Sequence, residues 1–102
     1  MSKRKNCHFM VEIRLNAEVE QIWPVLDEQF KNQIEKYCES GQIYFLSSSK
    51  DYSRHWLALN CECRQDLLFL LDNLDIIKFS TYNYTEIAQV ESTHELPVVC
   101  LN

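Results

Sequence analysis

The sequence predicts a small α+β domain whose elements run strand, helix, strand, strand, helix, strand. Three observations carry this. Residues 8–15 alternate apolar and polar side chains at a period of two, the signature of a strand with one covered face, and 42–48, 54–61 and 79–90 read as three further strands. Two stretches place apolar residues three or four apart, as one face of a helix requires. Gly41 and a polar run at 49–53 fall between these stretches, where a helix stop and a hairpin turn belong.

The first strand is read at residues 8–15. Phe9, Val11, Ile13 and Leu15 share one face; His8, Met10, Glu12 and Arg14 share the other. Asn16 offers a helix cap before Ala17-Glu18-Val19-Glu20, whose acids suit a first turn. Ile22, Leu26, Phe30, Gln33 or Ile34, and Tyr37 make the stripe of helix one at three- or four-residue steps. Pro24 sets its effective start near residue 23, and Gly41 its end. Strand two spans 42–48, with Ile43 and Phe45 opposite Tyr44 and Leu46. Strand three spans 54–61, with His55, Leu57, Leu59 and Cys61 on one face and Arg54, Trp56, Ala58 and Asn60 on the other. These two strands form a hairpin. Helix two is read at 64–74 from Leu67, Leu68, Leu70, Leu71 and Leu74, and strand four at 79–90 around Tyr82 and Tyr84.

The split βαβ arrangement folds such an order into a four-stranded antiparallel sheet with both helices on one face. The other face is expected to carry Met10, Trp56, Ala58 and the strand-four tyrosines. An uncovered face of that kind invites a second sheet, so a homodimer is expected. A chain of 102 residues is one domain with a thin core, which self-association supplements. Residues 1–7 read as a solubilising tail. Residues 91–102 are polar until Pro97-Val98-Val99-Cys100-Leu101, which is expected to pack on a partner subunit.

Composition excludes several functions. The formal charge is −5 and the one basic cluster is Lys3-Arg4-Lys5, so nucleic-acid binding is not expected. A single glycine rules out a glycine-rich phosphate loop. No stretch approaches the ~20 apolar residues that cross a bilayer, so no membrane partner is expected. Five cysteines, an odd number, with no secretory segment point to the reducing cytoplasm. Cys61-Glu62-Cys63 supplies two sulfurs to one side of a strand, but no second pair completes a zinc site, so no metal is expected.

From Gly41 onward the chain resembles the muconolactone isomerases of the dimeric α+β barrel superfamily, whose subunits have the ferredoxin-like fold. The likeness rests on Ser40-Gly41, the hairpin length, Trp56 before Leu57-Ala58-Leu59, and Leu67-x-x-Leu70-Leu71-x-x-Leu74. It continues through Ile76-Ile77-Lys78-Phe79 to Tyr82-x-Tyr84. It covers residues 41–84 without a gap. The resemblance implies a cofactor-free isomerase acting on a small organic acid. Where the family's second strand offers Trp, Arg and His, this chain has Ile43, Tyr44, Phe45, Ser47 and Ser48, so Arg54 or Arg14 would have to bind the anion.

Proton transfer alpha to a carbonyl needs a base and a group that holds the substrate oxygen. His55 titrates in the useful range, and an inward Glu12 would serve equally as base. Arg54, Arg14 or Tyr44 would hold the oxygen, Trp56 would line the site, and Asp27, near Trp23 and Phe30, would look into a cavity. Two alternatives stand beside this reading: a non-catalytic ligand-binding or assembly module on the same fold, and a cofactor-free monooxygenase with an aromatic pocket. A module would have its cavity filled by Trp23, Phe30 and Trp56.

Overall fold

The structure, a computed structural model, describes residues 6–88. Strand β1 (Cys7–Leu15) leads through a 3-10 segment (Ala17–Ile22) into helix α1 (Trp23–Glu39). The hairpin of β2 (Ile43–Ser48) and β3 (Arg54–Cys61) follows, then helix α2 (Arg64–Asp72), a second 3-10 segment (Asp75–Phe79) and β4 (Ser80–Ile87). The sheet order is β2-β3-β1-β4, antiparallel throughout. This is the ferredoxin-like α+β fold.

The core lies between the helices and one sheet face. Phe9, Val11, Ile13 and Leu15 meet Leu57, Leu59 and Cys61 across the β1–β3 pairing, all buried. Leu26, Phe30 and Ile34 of α1 and Leu67, Leu70 and Leu71 of α2 cover them. Each such side chain contributes about 1.5–3 kcal/mol by leaving water. Gln33 fastens α1 to the second 3-10 segment: its amide nitrogen donates to Asp75 Oδ2 at 2.8 Å, and its oxygen accepts from Asp75 N at 3.0 Å.

The structure differs from the sequence reading at several places. Asn16 does not cap a helix with its side chain; its carbonyl accepts from the Trp23 indole at 3.1 Å. The chain makes a 3-10 segment first, while α1 starts at Trp23 as expected, with Pro24 in its first turn, where the missing N–H goes unused. Cys7, expected in the tail, belongs to β1, and residues 1–5 lie outside the described residues. Helix α2 stops at Asp72, because Leu74 turns extended (φ −96°, ψ 126°) before the next segment.

A bulge between Ile43 and Phe45 shifts the β2 register. Ile43 opposes Leu59 and Leu46 opposes Leu57, so both face the helices, leaving Tyr44 and Phe45 to the open face. Tyr82 and Tyr84 oppose Ile13 and Val11, so they too lie on the helix side, where Tyr84 meets Phe9 edge-on at 5.9 Å. The tail 91–102 lies outside the described residues.

Candidate functional site

The seven residues singled out from the sequence fall into two clusters on opposite sides of the sheet. Five are on the open face. Glu12 opposes Trp56 and Arg14 opposes Arg54 in the β1–β3 ladder. Tyr44 reaches this face through the bulge, and its hydroxyl lies 2.9 Å from His8 Nδ1. Like charges directly opposite in a sheet are unfavourable. One carboxylate answers both guanidiniums: Glu12 Oε2 is 3.4 Å from Arg14 Nε and 3.9 Å from Arg54 Nη1. Solvent screens such pairs, and each contributes at most about 1 kcal/mol. The trio keeps one positive charge in excess. Around it, Met10, Ala58 and Phe45 supply apolar surface, with Ala58 fully covered by its larger neighbours and Phe45 40% exposed.

His55 and Asp27 lie on the helix side. His55 shares the face of Leu57 and Leu59, is fully buried, and sits under Phe30 with ring centroids 5.1 Å apart. Asp27 descends from α1 and is also buried, with Oδ2 3.1 Å from Lys31 Nζ one turn on and Oδ1 3.7 Å from His55 Nδ1. Ser48, opposite His55 in the hairpin, places its Oγ 2.9 Å from the same Nδ1. Asp27 Oδ1 and His55 Nε2 are buried without a hydrogen-bond partner among the described residues. Burial pushes the His55 pKa below its ordinary value; the Asp27 carboxylate and a backbone group of Tyr52 pull the other way without prevailing, and Lys31 adds to the depression. The imidazole is therefore neutral near pH 7. In a serine–histidine–aspartate relay the serine and the aspartate bond opposite ring nitrogens. Here both face Nδ1, so the arrangement is a different one.

The sequence reading passed over Ser48 and Lys31. Pairing the two hairpin strands across the 49–53 turn would have put Ser48 opposite His55, and the four-residue helical step would have put Lys31 beside Asp27. Trp23, Phe30 and Trp56 do not meet: Phe30 fills the interior against His55, Trp23 packs at its margin, and Trp56 faces the other way.

Two surface clefts stand out, and neither is lined by any of the seven residues. One, of about 740 Å³, runs between α1 and α2 past Tyr37, Phe69 and Asn73. The other, of about 380 Å³, lies near Gly41, Gln42 and Glu62. Cys61 is buried, which pushes its thiol pKa up. Among the described residues no three His, Cys, Asp or Glu side chains group closely enough to hold a metal, and no helix is long and apolar enough to cross a membrane. No family model matches the chain, and no curated protein matches it.

Proposed function

We propose that the chain works as a homodimer that binds a small organic acid between two facing sheets. The observation that carries this is the opposition of Arg14 and Arg54 across β1 and β3, with Glu12 the one acid paired to them among the described residues. A carboxylate arriving there would relieve a repulsion that one glutamate only partly offsets, and a guanidinium donates two parallel hydrogen bonds to a carboxylate. Trp56 and Tyr44 on the same face offer flat apolar surface to the rest of such a ligand. The resemblance of residues 41–84 to the muconolactone isomerases favours the same ligand class. Catalysis of an isomerisation would fall to Glu12, the acid beside the two arginines, because His55 lies across the sheet.

Sedimentation equilibrium combined with a thermal-shift screen tests the reading. Small aromatic and lactone acids should raise the melting temperature, whereas their methyl esters should not, since RT ln(1 + [L]/Kd) rewards only ligands the folded state binds. The pair Arg14→Gln and Arg54→Gln should remove the shift together. Equal shifts from acid and ester, or no shift at millimolar acid, would overturn the proposal. Turnover of a muconolactone-like substrate that survives Glu12→Gln would remove Glu12 as the base.

A further inference from the structure

The hydroxyl of Ser48 lies at a place where three features coincide. Ser48 ends β2, an edge strand of the sheet, and is only partly buried. Its Oγ is 2.9 Å from Nδ1 of a fully buried histidine. Next to it, Ser49 N donates to Arg54 O at 3.0 Å, which makes Ser49–Arg54 a hydrogen-bonded pair. In an antiparallel ladder the adjacent Ser48–His55 pair is then the non-hydrogen-bonded one. Two consequences follow. Side chains of such a pair approach closely, which explains the Oγ–Nδ1 contact. The Ser48 N–H is turned away from β3, outward at the sheet edge.

The geometry points to Ser48 as a nucleophile for activated acyl donors, with His55 as its general base and Asp27 as the residue that stabilises the imidazolium formed in the step. With the ring proton on Nε2, Nδ1 accepts from the Ser48 hydroxyl. As Oγ bonds to the acyl carbon, its proton passes to Nδ1. The bond from that carbon to the leaving oxygen or sulfur breaks, and the leaving group takes the proton from Nδ1. Water then attacks the acyl-serine by the same path in reverse, giving a carboxylic acid and restoring Ser48.

The buried, unpartnered Oδ1 of Asp27 gives this step its differential stabilisation. In the resting state no described residue donates a hydrogen bond to that oxygen. When the proton reaches Nδ1, 3.7 Å away, the carboxylate gains a cationic neighbour. An interaction made only as the reaction proceeds accelerates it, while one made equally at rest does not. Phe30 packs against the ring and holds it in the core. The outward Ser48 N–H is placed to meet an oxyanion from the solvent side. This site lies across the sheet from Arg14 and Arg54, so its fate is independent of acid binding on the open face.

Incubation of the full chain with p-nitrophenyl acetate, and separately with a fluorophosphonate, tests the assignment by peptide mass mapping. Label should collect on Ser48 in preference to Ser47, Ser49 and Ser53. Ser48→Ala, a surface-strand change with little risk to folding, should abolish the burst of p-nitrophenol. His55→Gln should slow labelling by a factor on the order of 10²–10⁴, the usual span for general-base assistance. Since His55 is in the core, Asp27→Asn serves as the second variant; it should slow labelling and move the inflection of the wild-type pH–rate profile downward. Label spread evenly over the serines, a burst that survives Ser48→Ala, or a profile unmoved by Asp27→Asn in a folded variant would overturn the assignment.

Discussion

At His55 the physical question is how a fully buried imidazole coexists with an aspartate 3.7 Å away and stays neutral. Desolvation of the cation outweighs the attraction to Asp27, and Lys31 works against protonation as well. The sign of the pH dependence follows. The folded pKa lies below the unfolded value of about 6.5, so below that value the unfolded chain takes up a proton that the folded chain resists. This part of the stability is fully present above pH 6.5 and is lost as pH falls toward the folded pKa. Urea midpoints should therefore drop between pH 7.5 and 5.5 in the wild type, and drop less in His55→Gln. Phe30→Ala should destabilise by about 3–5 kcal/mol, as loss of a buried aromatic does. It should also admit water to the imidazole and bring its pKa back toward the ordinary value, which NMR titration of the ring protons would read. The sequence placed His55 with Leu57, Leu59 and Cys61, the core side, by alternation alone. It gave no measure of how completely Phe30 would close over the ring.

At the scale of elements, two left-handed residues bracket β2. Gly41 (φ 83°) ends α1, and Tyr52 (φ 68°) sits in the turn between β2 and β3. A methyl group at Gly41 would meet nothing within 4 Å, so Gly41→Ala should destabilise through backbone strain alone, by roughly 1–2 kcal/mol. Chemical denaturation would measure it. The turn itself is tied by Asp51, whose carboxylate accepts from Ser49 Oγ, Ser53 N and Ser53 Oγ at 2.7–3.0 Å. These bonds hold its pKa down to about 2. The stabilisation they give is present above the usual carboxylate range and fades as pH falls from about 4 toward 2. Amide exchange at Ser53 should quicken relative to its intrinsic rate over that window, and in Asp51→Asn the window should vanish. Gly41 as a stop and 49–53 as a polar turn were legible from residue type. The bulge at Tyr44 was not, because a slip of one residue leaves the local alternation of Ile43-Tyr44-Phe45-Leu46 looking regular. Strand four misled for a related reason: Tyr82 and Tyr84 suit either face by hydropathy, and only the pairing of Ser80 with Leu15 decides which face they take.

For the whole molecule the open face sets the expectation. Four strands spaced about 4.8 Å apart, each about eight residues rising roughly 3.3 Å per residue, present on the order of 500 Å² per copy. Two such faces bury roughly 1,000 Å², near the lower limit for a specific interface. The face is also mixed, with Met10, Trp56 and Phe45 beside the Glu12–Arg14–Arg54 trio. A pairing of that size and composition should be reversible. The melting temperature should rise with protein concentration, because a partner that binds only the folded state stabilises it by mass action. Sedimentation should show monomer at low concentration and dimer at high. Ala58 provides the sharpest probe, since it is the small residue at the middle of the face, buried even within one chain. Ala58→Arg would lift its larger neighbours and add a third guanidinium near Arg54. The variant should stay monomeric at every concentration, and its melting temperature should lose the concentration dependence while near-ultraviolet circular dichroism keeps the core signal of Tyr82 and Tyr84. A wild-type melting temperature that is flat from micromolar to millimolar protein, with a monomer mass throughout, would leave the open face to a different partner.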